Sequence, residues 1–269
     1  MTTVDAGGTL AVLEARGVSV AFGGVLALAG VDIRVEARQI VGLMGPNGAG
    51  KTTLFNVVSG LLRPSDGEVL MSGTDVTRAS PQRRARRGMA RTFQRPELFG
   101  ELTVREQLVL ARRARHPARR YWAELTGVGS RPTREESAVV DQLLVWLDLQ
   151  DVGDAEANTL PLGTARLVEV GRALATGPSI VLLDEPSSGL DDRETELLGV
   201  ALARARAEEG VALLLVEHDV EFVLGLADTV SVLDFGKMIA SGTPDAIRAD
   251  PDVQNAYLGR SVEPSGGSR

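Results

Sequence analysis

The chain has 269 residues, a formal net charge of −7 and 43% hydrophobic residues, values typical of a soluble folded protein with a sizeable buried core. It contains no cysteine and two histidines, which excludes disulfides, cysteine-liganded zinc and a histidine-rich metal centre. The negative charge disfavours a general nucleic-acid binder. Any catalytic metal is expected to have oxygen ligands.

The N-terminal part of the chain predicts strands that are polar on one face. Residues 31–36 alternate between apolar and polar side chains, and shorter runs of the same kind lie at 10–14, 17–21 and 68–72. Since successive side chains of a strand point to opposite faces, we expect these runs to form an antiparallel sheet.

Other runs predict buried strands and a helical region. Residues 40–44 and 180–183 are continuously apolar, which is typical of parallel strands covered on both faces, and 213–216 and 230–233 also predict strands. Between about 95 and 160 the pattern becomes helical. One apolar helix face is formed by Val140, Leu143, Leu144 and Leu147. The fold class is therefore predicted as α/β with a helical insertion.

A glycine-rich loop follows the strand predicted at 40–44. Residues 45–53 satisfy the pattern G-x-x-x-x-G-K-[ST] between a strand and a helix, a context that disfavours a chance glycine turn. Glycines let several N–H groups face one phosphate, the helix N-terminus and Lys51 add positive charge, and Thr52 can offer a hydroxyl to Mg²⁺. The predicted nucleotide-binding residues are Gly45, Asn47, Gly48, Ala49, Gly50, Lys51, Thr52 and Thr53.

Two adjacent carboxylates follow the apolar run at 180–183. Asp184 and Glu185 are expected at the C-terminal end of a buried strand, where open α/β sheets bind ligands. Asp184 can hold Mg²⁺ through water, while Glu185 can orient and polarise an attacking water. A helix-capping acidic pair is the alternative, and the nearby phosphate loop disfavours it.

Together these motifs make nearly the whole chain resemble the ATP-binding subunits of ABC transporters. Three further features occur in that family's order: Gln94 after Arg-Thr-Phe, Asp191 in Ser-Gly-Leu-Asp, and His218 in Val-Glu-His-Asp. Each alone is typical of a surface or capping residue, and the spacing relative to Lys51 and Glu185 carries the resemblance. It implies a P-loop ATPase core with an antiparallel β-subdomain and a helical subdomain, and ATP and Mg²⁺ as ligands.

The resemblance also implies roles for single residues. Glu185, His218 and Gln94 are the expected catalytic set, with Gln94 contacting Mg²⁺ and coupling the site to a permease. Asp191 is expected at the nucleotide site. Phe22 resembles the aromatic residue that stacks on adenine, and ordinary core packing is the alternative.

The signature loop departs from the family pattern. Where the family usually has Leu-Ser-Gly-Gly-Gln, residues 160–164 read Leu-Pro-Leu-Gly-Thr. In the family, this loop presents N–H groups and a serine hydroxyl to the γ-phosphate bound by the opposite subunit. Gly163 and the following helix N-terminus can still do so, whereas Pro161 has neither a hydroxyl nor an N–H.

The resemblance divides the chain into four ranges. Residues 1–94 are expected to form the antiparallel subdomain and the first part of the ATPase core, and 95–160 the helical subdomain. Residues 161–240 complete the core, and 241–269 form a C-terminal extension with a disordered tail.

We interpret two arginine clusters as solvated helix faces, because they lack interleaved aromatic residues. They comprise Arg83, Arg84, Arg86 and Arg87, and Arg112, Arg113, Arg115, Arg119 and Arg120.

The predicted function is ATP hydrolysis that energises an importer. Residues 241–244 and 250–259 most resemble the branched-chain amino acid uptake group, and a urea or amide importer or a soluble non-transport ABC ATPase are alternatives. The expected partners are transmembrane permease subunits, a second and non-identical ATPase subunit and, through the permease, an extracytoplasmic solute-binding protein, with no nucleic acid. The N-terminal residues lack a targeting pattern, and the expected location is the cytoplasmic face of the plasma membrane.

Overall fold

The computed structural model describes residues 11–92, 97–114 and 132–258. Its strands are β1 (Ala11–Phe22), β2 (Val25–Glu36), β3 (Ile40–Met44), β4 (Asp66–Met71), β5 (Thr74–Asp75), β6 (Met89–Arg91), β7 (Ile180–Asp184), β8 (Ala212–Val216), β9 (Thr229–Asp234) and β10 (Lys237–Gly242). Its helices are α1 (Lys51–Ser59), α2 (Pro81–Arg86), α3 (Val104–Ala114), α4 (Arg134–Trp146), α5 (Leu162–Ala175), α6 (Asp192–Glu208), α7 (Val220–Leu226), α8 (Pro244–Ala249) and α9 (Pro251–Leu258). Short 3₁₀ helices span Gln150–Val152 and Ala157–Thr159.

Residue contacts divide the chain into two compact units. The first comprises residues 1–84 and 212–269, and the second comprises residues 85–211. Among the residues that the structure describes, no helix has the length and apolar character needed to cross a bilayer.

The first unit contains an antiparallel sheet and a set of parallel strands. The antiparallel sheet has the order β2-β1-β4-β5. β3 lies between β8 and β9 and is parallel to both, and β10 is antiparallel to β9. Every residue of β3 and β8 is buried. The predicted antiparallel strands and the predicted buried parallel strands are therefore confirmed.

The run at 17–21 and residues 11–14 of the preceding run belong to a single strand, β1. In β1 the register against β2 shifts between Ala15 and Val18. Gly17, with φ 58°, lies in this irregularity, and its N–H donates to Asp32 Oδ1 over 2.7 Å. A bulge keeps the strand continuous while interrupting its alternation, which is why the sequence pattern showed two runs.

The second unit combines helices with a parallel strand pair. β6 is parallel to β7, and α3, α4 and α5 pack against one another. α4 begins at a capping box formed by Thr133 and Glu136, which satisfies free N–H groups of its first turn. The predicted apolar face is confirmed, since its four residues are buried: Val140, Leu143, Leu144 and Leu147.

Candidate active site

The glycine-rich loop connects β3 to α1 and is held close to the β9–β10 turn. Gly45 and Gly50 have φ values of 147° and 108°, a region that favours glycine. A Cβ at Gly50 would lie 2.8 Å from the Ala27 carbonyl oxygen, and one at Gly45 would collide with the Leu233 carbonyl. No side chain caps the N-terminus of α1. Its first N–H groups and the helix dipole are therefore available to an anion such as a phosphate.

Lys51 is buried and bonded to its own loop. Its ammonium donates to the carbonyl oxygens of Gly45 at 2.5 Å and Pro46 at 3.0 Å. Thr52, next in the chain, is exposed, and Thr53 is partly exposed. The buried ammonium lies along the loop that would receive the phosphates, as the motif predicts.

Tyr257 on α9 contacts the start of this loop, a contact that sequence reasoning missed. The Gly45 N–H donates to the half-buried Tyr257 hydroxyl. Burial raises the pKa of this hydroxyl, and the Gly45 N–H acts in the opposite direction. α9 therefore touches the first residue of the glycine-rich loop. No sequence pattern marks a tyrosine 212 residues away as its neighbour.

Phe22 lies at the end of β1, at the tip of a hairpin. It pairs with Val25 across Gly23 and Gly24, both with positive φ, as a two-residue hairpin turn requires. Its side chain is 52% exposed. The exposure contradicts core packing and leaves a ring face accessible to a base.

Arg84 corrects our interpretation of the first arginine cluster. Arg83, Arg86 and Arg87 are exposed, but Arg84 is fully buried. Its guanidinium donates to the carbonyls of Val57 and Val58, at the end of α1, over 2.8 and 2.6 Å. Further bonds go to the carbonyls of Val76, Thr77 and Ala79.

Arg84 is therefore a C-terminal cap of the helix that begins at Lys51. Burial lowers its pKa to about 10, partly opposed by Asp75. In the second cluster, Arg112 and Arg113 are ion-paired with Glu135 and Glu136, and Arg115, Arg119 and Arg120 lie outside the described residues.

His218 lies in the turn between β8 and α7. Its side chain is exposed, whereas Glu217 is buried. The His218 N–H donates to Glu217 Oε2 over 3.1 Å. Asp219 caps α7 by accepting from the Phe222 N–H. The turn presents the imidazole to solvent at the C-terminal end of a buried parallel strand, where α/β proteins bind ligands.

In the second unit, β7 ends at the predicted acidic pair. Asp184 is 3% exposed, and its Oδ2 lies 3.6 Å from Arg91 Nη2. Its N–H donates to Thr92 Oγ1 over 3.3 Å. Sequence reasoning did not predict the Arg91 contact, because nothing in the sequence distinguishes this arginine from a surface residue.

Glu185 has an unusual backbone conformation. Its φ is 50°, uncommon for a residue other than glycine and associated with strain at functional positions. Its carbonyl accepts from Arg166 Nη1 over 2.8 Å, and Arg166 is buried in α5. This bond fixes the peptide that follows the candidate water-orienting residue.

The altered signature loop begins α5 next to a carboxylate. Pro161 is the N-cap residue and makes no side-chain bond, while Gly163 is buried. A Cβ at Gly163 would lie 2.6 Å from Glu194 Oε1. Glu194 belongs to a capping box with Asp191 at the start of α6. Asp191 is thus a helix cap, and its D-x-x-E spacing to Glu194 could have suggested the capping box. The position of Glu194 beside Gly163 is a tertiary contact that this spacing does not predict.

Gln94 lies outside the described residues, as does the tail at 263–269.

No cluster of three or more His, Cys, Asp or Glu residues that could hold a metal is found within the described part of the chain. Mg²⁺ usually takes one or two protein oxygens together with waters and substrate phosphates. The buried Asp184 carboxylate and the exposed Thr52 hydroxyl are donors of that kind.

A glycine-rich loop lies between the buried parallel strand β3 and helix α1, and an acidic pair lies at the end of a second buried parallel strand, β7. These two features define a P-loop ATPase. The family model described as ABC transporter matches residues 28–188, more than half of the chain. The chain therefore belongs to the ABC transporter family, and within that family it is a nucleotide-binding subunit that hydrolyses ATP. A second model, described as branched-chain amino acid ATP-binding cassette transporter, matches residues 237–263.

Individual relatives resemble the chain along most of its length. The high-affinity branched-chain amino acid transport ATP-binding protein BraF of Pseudomonas aeruginosa is 39% identical over 252 residues, covering 93% of this chain and 98% of BraF. LivG of Escherichia coli, with the same description, is 37% identical with the same coverage. The ADP conformation of MJ1267, an ATP-binding cassette of an ABC transporter, superimposes with a TM-score of 0.78 at 32% identity, covering 93% of this chain and 100% of that one. The predicted fold and family are confirmed.

Proposed function

We propose that this chain is the ATPase subunit of an importer for branched-chain amino acids. The observation that carries the proposal is the match of residues 237–263 to the branched-chain amino acid transporter model. This segment lies outside the region matched by the general ABC transporter model and therefore supports a particular transporter group. The names of BraF and LivG support the same cargo.

The proposed division of work follows from the charges of the residues. The glycine-rich loop and Lys51 bind the phosphates. Thr52 and Asp184 would hold Mg²⁺, which when bound would neutralise charge that develops on the phosphates. Glu185 orients and polarises the attacking water, and His218 stabilises the reacting phosphate.

The proposal also gives roles to Phe22 and Gln94. Phe22 stacks on the adenine through its exposed ring. Gln94 couples the Mg²⁺ site to the permease. Catalysis on this account is mainly positioning and electrostatic stabilisation.

The proposed partners are permease subunits and a second, non-identical ATPase subunit. Pro161 supplies neither a hydroxyl nor an N–H, and Glu194 already places a carboxylate beside Gly163. Loss of one hydrogen bond to a charged phosphate costs about 1.5–3 kcal/mol, which is roughly tenfold to over a hundredfold in closure of the site or in rate. A partner with a complete signature would restore full activity at the site containing Lys51 and Glu185.

Inactivating each site separately tests this asymmetry. Glu185→Gln in the assembled transporter should abolish most ATP turnover, whereas the equivalent change in the partner should remove much less. Equal losses, or full activity from this chain alone, would contradict unequal sites.

Uptake by the reconstituted transporter tests the proposed cargo. The tagged chain is purified from detergent-solubilised membranes with its associated membrane subunits and returned to proteoliposomes with ATP inside and the solute-binding protein outside. We expect ATP-dependent uptake of labelled leucine, isoleucine and valine, which Lys51→Ala abolishes. Uptake of urea or acetamide in their place, or purification without membrane subunits, would refute the proposal.

A further inference from the structure

Arg91 and Asp184 form a buried ion pair in the second unit. Arg91 Nη2 lies 3.6 Å from Asp184 Oδ2, and the two side chains are only 16% and 3% exposed. The carboxylate assigned above to Mg²⁺ therefore faces a cation of the protein itself.

The ends of two neighbouring strands hold this pair in place. Arg91 is the last residue of β6 and lies opposite Leu182 of β7. Beyond it, the Thr92 N–H donates to the Leu182 carbonyl over 3.0 Å, and the Asp184 N–H donates to Thr92 Oγ1 over 3.3 Å. These bonds fix the backbone at the two strand ends from which the Arg91 and Asp184 side chains extend.

We propose that Arg91 is the resting counter-ion of Asp184, which neutralises this carboxylate in the absence of Mg²⁺ and competes with Mg²⁺ for it when MgATP binds. The inference rests on the proposed role of Asp184. A buried carboxylate is strongly unfavourable unless it is paired, and Arg91 supplies a counter-ion to Asp184 in the metal-free protein. A bound Mg²⁺ would be a second cation beside the same carboxylate, and it would be repelled by Arg91.

Arg91 is therefore a positioning residue with two opposing effects. It stabilises the metal-free second unit, and it weakens the binding of the metal that accompanies ATP.

Metal binding without turnover tests the proposal. Mn²⁺ is titrated into the full chain with a non-hydrolysable ATP analogue, and free Mn²⁺ is measured by electron paramagnetic resonance. Arg91→Met should bind Mn²⁺ about tenfold more tightly than the original chain, because the competing charge is gone. Arg91→Lys keeps the charge and should stay within about twofold. Arg193→Met is the matched control, because it removes an arginine from an exposed pair with Asp148 in the same unit.

Thermal unfolding in EDTA supplies the second readout. Arg91→Met should unfold at a lower temperature than both the original chain and Arg193→Met, and Arg91→Lys should recover most of the difference. If the Arg91→Met protein does not fold, the Arg91→Gln protein is used in its place. The glutamine amide is uncharged but keeps a hydrogen-bond donor. Unchanged or weaker Mn²⁺ binding in the neutral variant would overturn the competition.

Asp184→Asn separates failure of this inference from failure of the proposed function. If Asp184 holds the metal, Asp184→Asn weakens Mn²⁺ binding, and Arg91→Met has no further effect in that background. Unchanged Mn²⁺ binding in Asp184→Asn refutes the metal role itself. Weakened binding in Asp184→Asn, combined with no effect of Arg91→Met in the original chain, refutes only the role of Arg91.

Discussion

Replacing Arg84 by methionine should destabilise the unit that carries the phosphate loop. Methionine keeps most of the aliphatic volume and removes every donor of the guanidinium. The carbonyls of Val57 and Val58, at the end of α1, then lose the group that caps them. Since α1 begins at Lys51, the change affects the far end of the helix that we propose binds phosphate.

The expected magnitude follows from the bonds that are lost. The three shortest, to the carbonyls of Val57, Val58 and Val76, are 2.6–2.8 Å long. Bonds to a charged group contribute about 1.5–3 kcal/mol each, and a buried carbonyl left without a donor costs about 1–3 kcal/mol. Burial of the guanidinium is itself unfavourable, as its pKa of about 10 indicates, and offsets part of this sum. We expect a net loss of about 3–5 kcal/mol in the free energy of unfolding.

Guanidinium chloride unfolding followed by circular dichroism measures this loss. Arg83→Met is the control, because Arg83 is exposed in the same helix and should change stability by less than about 0.5 kcal/mol. Hydrogen exchange of the peptide covering residues 51–60 should also become faster in Arg84→Met. A loss below about 1 kcal/mol, or equal losses in the two variants, would refute the capping role of Arg84.

Three further substitutions test single contacts of the site. Phe22→Ala should raise the ATP dissociation constant about tenfold or more, because base–aromatic stacking contributes about 1–3 kcal/mol; an unchanged constant in titration calorimetry would exclude stacking. Tyr257→Phe leaves the Gly45 N–H without its phenolic acceptor and should weaken ATP binding by about 0.5–1.5 kcal/mol, whereas equal binding would mean that α9 acts only by packing. Gly163→Ala should displace Glu194 and cost about 1 kcal/mol of unfolding free energy through the lost capping box; no change in the denaturation midpoint would show that Glu194 moves without cost.

The sequence predicts well those features that depend on local patterns. Continuous apolar runs identified β3 and β7, and the spacing of Val140, Leu143 and Leu144 identified the buried face of α4. The glycine-rich motif identified the loop before α1, because its chemistry requires consecutive residues in a fixed order. A bulge divided β1 into two apparent runs, since one inserted residue reverses the alternation.

Contacts between distant residues could not be predicted in this way. Arg84 has the same local pattern as its exposed neighbours, and only the fold places it beneath the end of α1. Tyr257 and Arg91 reach Gly45 and Asp184 through tertiary structure alone. Periodicity reports which face of an element is buried and does not report which distant polar group that face meets.

Single-turnover hydrolysis by the assembled transporter carrying Glu185→Gln tests the central claim most directly. The variant is mixed with radiolabelled MgATP, and bound ATP and released phosphate are followed over time beside the original chain and Lys51→Ala. Because glutamine cannot act as a base toward the attacking water, Glu185→Gln should retain ATP and release phosphate at least about a hundredfold more slowly, whereas Lys51→Ala should fail to retain ATP. Phosphate release by Glu185→Gln at the original rate would contradict the assignment of Glu185 and the account of hydrolysis built on it.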